Sequence, residues 1–149
     1  MWVVHLHYSA ALMTYGALLS TKLISEGKFQ EAVEAASREI DLQPDDPEAY
    51  FNRGQARVGL DQLPEAIDDY RRALLLDASN SGMDPEAADD ELFFALRTLA
   101  TKQKDQPAAA VATLQRYGAI LPDGRHLEDV AKWVDKVNGV EAIWYRDRA

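Results

Sequence analysis

Residues 47–78, PEAYFNRGQARVGLDQLPEAIDDYRRALLLDA, decide how the rest of this 149-residue chain is read. Asp46-Pro47 has the form of a helix start. The aspartate can cap the first free N–H groups, and proline at the first helical position gives up an N–H that had no partner in any case. A second start stands at Leu63-Pro64-Glu65, and Gly59 to Gln62 lies between the two as a tight turn. The stretch therefore reads as a helical hairpin. Gly54 and Ala66 fall mid-helix, where glycine costs about 1 kcal/mol, so both are expected where a facing helix comes close.

The hairpin recurs along the chain. Stepping back 34 residues places Ala66 on Ala32, Glu65 on Glu31, Ile67 on Val33, Leu63 on Phe29, Leu74 on Ile40 and Leu76 on Leu42. Self-similarity at such a period is the mark of a stacked helical array. A third copy lies 44 residues beyond the second: Ala110, Leu114 and Pro122 answer Ala66, Tyr70 and Ala78, and Leu92, Ala95, Leu96 and Leu99 mark its first helix. Most of the added length is SGMDPEAADDE, in which Asp84-Pro85-Glu86 is an early helix start, and the rest falls in the turn from Lys102 to Gln106. Beyond Pro122-Asp123-Gly124, the residues Leu127, Val130, Ala131, Val134 and Val137 share one face of a terminal helix, which suits the polar-sided cap that arrays require. The organisation expected is a single domain, with repeats at about 13–46, 47–80 and 89–124, an insertion at 81–88, a cap helix at 125–138 and a tail at 139–149. The tail carries Val140, Ile143, Trp144 and Tyr145, and is expected to fold over the cap or lie in a groove, its own or a neighbour's.

Period and residues together resemble the tetratricopeptide repeat (TPR) family, whose 34-residue unit carries Trp-x2-Leu-Gly-x2-Tyr, then Ala-x3-Phe, then Pro. The middle copy here reads Tyr50-x2-Arg53-Gly54-x2-Arg57, Ala66-x3-Tyr70 and Ala78; the first reads Ala32-x3-Ala36 and Pro44. Arg53, Arg57 and Ala78 depart from the pattern, and Gly16 stands where the first copy should carry a large aromatic. The resemblance implies an all-α fold, a right-handed α-α superhelix of three TPR-like helix pairs with a C-terminal capping helix, whose first helices line a concave groove. On this resemblance the groove-facing positions are Glu48, Phe51, Asn52, Gln55 and Val58, flanked by Thr14, Ala17 and Thr21 on one side and by Phe93, Arg97 and Ala100 on the other. A peptide there would use Asn52 and Gln55 for its backbone and Phe51 and Phe93 for an apolar side chain. The plainer alternative has both phenylalanines packing between repeats. Members of the family that hold heat-shock chaperone carboxylates do so with a lysine, arginine and asparagine clamp. Asn52 matches its asparagine, but the partner positions carry Ala17, Thr21, Asp90 and Phe94, so that clamp is not expected.

Composition narrows the function further. The absence of cysteine removes disulfides and thiolate chemistry. A net charge of −9 and a pI near 4.7 are opposite to the footprint of a phosphate-backbone binder, so nucleic acid is not an expected partner. Residues 1–21 hold no Asp, Glu, Lys or Arg, but His5, His7, Ser9, Thr14, Gly16, Ser20 and Thr21 dilute them, and no basic residue precedes them. A buried first helix from about His5 is expected rather than a membrane anchor, with a short extended segment carrying Trp2, Val4, Leu6 and Tyr8 on one side as the alternative. On that helix His5 and His7 diverge by about 200° and no third ligand accompanies them, so no metal is expected. Asp45-Asp46, Asp68-Asp69 and Asp89-Asp90-Glu91 read as solvated faces and helix-start charges, and His126 as a capping or solvent-exposed group. No phosphate loop, dinucleotide loop or nucleophile elbow is present, so neither a cofactor nor a catalytic residue is expected. The reading is a cytoplasmic protein–protein interaction module, an adaptor or scaffold with a protein or peptide partner. The alternatives are a small acidic TPR chaperone shielding apolar segments of a secreted client, and an enzyme or regulatory domain within the insertion and termini. The N-terminal segment and the Trp144-Tyr145 tail are candidate surfaces for homo-oligomerisation.

Overall fold

Prolines stand at the heads of four helices, and the aspartates before two of them cap as expected. The computed structural model describes residues 19–76, 78, 79 and 81–146, with side chains as far as residue 139. Residues 19–25 are helical (α1), followed by α2 (Phe29–Leu42), α3 (Pro47–Gly59), α4 (Leu63–Leu75), α5 (Pro85–Lys102), α6 (Pro107–Ile120) and α7 (Leu127–Arg146). The Asp46 carboxylate accepts the Glu48 N–H at 3.0 Å, and Asp84 accepts that of Glu86 at 3.0 Å. Between α3 and α4 the chain turns through Asp61 at φ 60°, a left-handed conformation that aspartate tolerates better than most residues. No strand occurs among the described residues, and none of their helices is long and apolar enough to cross a membrane. His5, His7, Thr14 and Ala17, and the side chains of Val140, Ile143, Trp144 and Tyr145, lie outside the described residues, and with them the expectations placed on the N-terminal run.

The chain divides into two compact units at residues 88 and 89. In the first, α2 packs on α3 and α3 on α4. Leu23, Ala32, Ala35 and Ala56 form one cluster, with Leu19, Ile24 and Val33 against it. Ala73, Met83 and Ala88 form a second, joined by Tyr50, Phe51, Leu74 and Ala78. Alanine dominates because the helices approach closely. A Cβ built on Gly54 would stand 2.6 Å from Cε1 of Tyr70, and one on Gly59 would stand 2.5 Å from Cγ of Phe29. The mid-helix glycine is thus repaid by the ring of Tyr70, which is fully buried. The inserted residues help build this core through Met83, and the Gly82 N–H bonds Oε2 of Glu48 at 3.0 Å.

In the second unit α6 packs on α7. Leu92, Phe93, Ala95, Leu96, Ala110, Leu114, Tyr117 and Val130 are buried. Gly124 is required here, since a side chain would strike the Tyr117 hydroxyl. Two expectations change. Helix α7 does not end near Asn138 but runs through Gly139 to Arg146, so residues 139–146 continue the cap helix rather than forming a separate tail. Its inward face is also not the one expected. Val130 is buried and Trp133, Val134 and Val137 are half-buried, while Leu127 and Ala131 are exposed.

The register of 34 and 44 residues is visible in burial. Ala32, Ala66 and Ala110 are all buried, as are Ala36, Tyr70 and Leu114. The next buried position carries Glu39, Ala73 and Tyr117 in turn. A small apolar side chain occupies it in the middle copy, and an ionisable group in each of the outer two.

Candidate partner-binding faces

The expected groove positions fall on α1 and α3 in the first unit and on α5 in the second. Thr21 is exposed, and Phe51, Gln55 and Val58 are half-buried. Phe51 tilts against Tyr70, with ring centroids 5.9 Å apart, and leans on the Ala73–Met83–Ala88 cluster. Only part of its ring faces outward. Glu48 is half-buried, and one of its carboxylate oxygens is held by Gly82. Asn52 does not stand open as expected. It is 5% exposed, and its amide donates to Ser20 at 3.0 Å and Thr21 at 3.4 Å, tying α3 to α1. Its donors are therefore already engaged within the chain. The accessible face of this unit is Thr21, Phe51, Gln55 and Val58.

Behind that face, on the seam between α3 and α4, lie the two arginines that depart from the repeat pattern. Arg53 makes a bidentate pair with Asp69 through Nη2 at 2.8 Å and Nε at 3.0 Å, and Arg57 reaches the same carboxylate at 2.7 Å. Asp69 is 3% exposed, so the expectation of a solvated Asp68-Asp69 pair is corrected at the second residue. Two guanidiniums four residues apart on one helix face require an anion between them, and α4 supplies it. Arg53 also donates to Ser37 of α2 at 3.3 Å. That spacing of arginines, opposite an acid on the partner helix, was the available signal in the sequence.

Glu39, near the end of α2, is 4% exposed, and its Oε2 has no hydrogen-bond partner. Burial, then the neighbouring Asp46, then Glu48 push its carboxyl up to about 7. No sequence reading singled it out; the available signal was the repeat register, in which it occupies the place of Ala73.

In the second unit Phe93 is buried and stacks flat on the His126 imidazole, centroids 4.5 Å apart. His126 is not a solvent-exposed group. Its Nε2 lies 2.7 Å from Asp90 and its Nδ1 3.2 Å from Asp129, and its backbone N–H donates to the Tyr117 hydroxyl at 3.0 Å. Burial alone would lower its pKa, but the bonds to Asp90 and Asp129 outweigh it and the net shift is upward. The Tyr117 hydroxyl in turn bonds Asp89, and burial and that bond raise its pKa. Arg97 is half-buried, with its guanidinium carbon 5.7 Å from the ring centres of Phe93 and Phe94 and 5.6 Å from that of Trp133. Among the described residues no group of three or more His, Asp or Glu is placed to hold a metal ion.

Paired antiparallel helices repeating at a fixed register define a helical-repeat protein. The sequence profile of the tetratricopeptide repeat family matches residues 18–88, just under half of the chain. The chain is 37% identical over 65 residues to the Hsp70-Hsp90 organising protein of Plasmodium falciparum, covering 44% of this chain and 26% of that relative. It is 33% identical over 70 residues to the Hsp70-Hsp90 organizing protein of Triticum aestivum, covering 47% and 12% respectively. It thus spans about a quarter of the first relative and less of the second. Its fold is similar to the second TPR domain of human RPAP3, solved with the HSP70 peptide SGPTIEEVD: TM-score 0.56, 18% identity, 87% of this chain and 98% of that one. It is equally similar to the TPR2B domain of yeast Sti1, solved as a pHsp70 complex: TM-score 0.56, 21% identity, with the same coverage.

Proposed function

We propose that this chain is a protein–protein interaction module, an adaptor that holds a peptide or partner segment on the first-helix faces of its repeats. The observation that carries the reading is the division of α3. Its seam side is consumed by Gly54, Arg53 and Arg57 packing on α4, while Phe51, Gln55 and Val58 are left half-exposed beside Thr21. A helix with one side committed to its own hairpin and an apolar–amide strip on the other offers what helix-lined peptide sites use, an apolar contact and a backbone hydrogen-bonding group. Glu48 adds one carboxylate oxygen.

The peptides bound by the HSP70-complexed neighbours make a peptide partner the natural class. The determinants here differ from a carboxylate clamp: Asn52 is turned inward to Ser20, and Asp90, at a clamp position, is itself an anion paired with Arg125 and His126. The partner of this face is therefore a segment recognised mainly by apolar side chains and backbone. A short segment of this kind binds at about micromolar strength, near −8 kcal/mol. Affinity capture with the wild-type chain and with Phe51→Ala plus Gln55→Ala tests the proposal. The captured partner should be lost from the double variant, at least about tenfold in affinity, with helicity unchanged by circular dichroism. A partner retained at full affinity would remove this face as the site.

A further inference from the structure

Six of the described lysines and arginines pair with an anion. Arg53 and Arg57 share Asp69, Lys22 and Lys28 meet Glu26, Arg125 meets Asp90, and Lys132 meets Glu128. Arg97 of α5 and Lys136 of α7 do not. Among the described residues the Arg97 guanidinium contacts only the rings of Phe93, Phe94 and Trp133, and the Lys136 ammonium stands 4.7 Å from the centre of the same Trp133 ring. One indole thus holds two positive charges, each within 6 Å of its centre. The two charges therefore lie no more than about 10 Å apart, roughly one Debye length at ordinary ionic strength, so their repulsion is only partly screened. An anion within reach of both would relieve it.

The donors are also available. Among the described residues the Arg97 side chain makes no hydrogen bond or ion pair, and its planar N–H fork is the one that matches a carboxylate. Phe94, 42% exposed, adds an uncovered apolar ring beside that fork. Charge distribution points the same way. Residues 1–88 contain fifteen Asp and Glu against seven Lys and Arg, a net of −8, whereas residues 89–149 contain ten against nine, a net of −1. An acidic segment meets far less repulsion at the second unit than at the first.

We infer that Arg97, Lys136, Trp133 and Phe94 form a receptor for an acidic segment of a partner protein, one carrying carboxylate side chains next to a large apolar residue. This rests on the interaction-module reading and gives it a second contact of different chemistry. The α7 helix supplies half of the receptor, so it is more than a cover for the end of the array. The carboxylate lies in the plane of the Arg97 fork with Lys136 as a second, less directional cation, and the apolar side chain rests on Phe94.

The test uses the full chain and a fluorescein-labelled, C-terminally amidated peptide, Gly-Asp-Leu-Glu-Asp-Gly, read by fluorescence anisotropy. Amidation leaves side-chain carboxylates as its only anions. Saturable binding is expected, weakening several-fold between about 50 mM and about 500 mM salt. Arg97→Gln with Lys136→Gln should weaken it at least about tenfold, Arg97→Lys should weaken it less, and circular dichroism should be unchanged in both. Equal binding of the analogue Gly-Asn-Leu-Gln-Asn-Gly, undiminished binding by the double variant, or binding of an oligothymidylate as tight as that of the peptide would each overturn the inference. So would a change in the double variant's mass by light scattering, which would identify a second copy of the chain as the occupant. If the peptide fails to bind while partner capture through Phe51 and Gln55 persists, only this inference falls. Loss of all partner capture by wild-type chain would instead remove the interaction-module reading.

Discussion

Glu39 carries the least comfortable atom among the described residues, a buried carboxyl oxygen with no hydrogen-bond partner. A carboxyl in that position holds its proton more tightly than an exposed one, because its charged form would lose water on burial and face Asp46 and Glu48. The sign of its effect on stability follows. Its folded pKa of about 7 lies above the 4.5 of an unperturbed glutamate, so the folded state binds the proton more tightly than the unfolded one. The resulting stabilisation is complete below pH 4.5 and is lost as pH rises through 7. The loss should be on the order of 3 kcal/mol. Urea unfolding measured across that window should show the decline in the wild type and a flatter profile in Glu39→Gln; an equally steep profile in the variant would assign the titration to another group. This residue illustrates what the sequence leaves hidden. A glutamate near a helix end is ordinarily solvated, and only the packing of α2 on α3 makes it a buried acid, although its alignment with Ala73 was in the repeat register. Asn52 shows the same limit from the other side. Its helix position was legible, but the Ser20 hydroxyl that turns it inward belongs to a different helix.

At the scale of elements, the helix boundaries were the most legible feature because their causes are local. Proline, a capping aspartate and a turn residue with positive φ act within a few positions of one another. The α3–α4 seam was less so. Arg53 and Arg57 read as departures from the repeat pattern, whereas they are two parts of a three-member charge set closed by Asp69 from the other helix. The length of α7 was misjudged for a related reason: Gly139 has the look of a stop, yet a Cβ there would meet nothing within 4 Å, and the helix passes through it. The seam yields a sharp prediction. Asp69→Ala leaves two guanidiniums facing one another without an anion, and should cost about 3–5 kcal/mol in chemical unfolding. Replacing all three members with apolar residues, Arg53→Leu and Arg57→Tyr with Asp69→Ala, should recover most of that loss. If the triple variant is as unstable as the single one, the seam depends on shape rather than on charge balance.

At the scale of the whole molecule the charge is uneven, −8 before residue 89 and −1 after it. Self-repulsion among like charges destabilises a compact state and is relieved by salt. Raising sodium chloride from about 20 mM to about 300 mM should therefore increase hydrogen-exchange protection in α2–α4 more than in α6 and α7, by a few tenths to about 1 kcal/mol. Equal gains in the two regions would show that local ion pairs, not net charge, govern the response. The Arg53–Asp69–Arg57 set bears on how such a molecule can be rebuilt. All three members lie within one hairpin, residues 47–75, so that hairpin carries its own counter-charge wherever it is placed. It is portable as a pair of helices and not as single ones. A grafted α3 without α4 would import two unmatched cations into its new host, and a grafted α4 would import a lone buried anion.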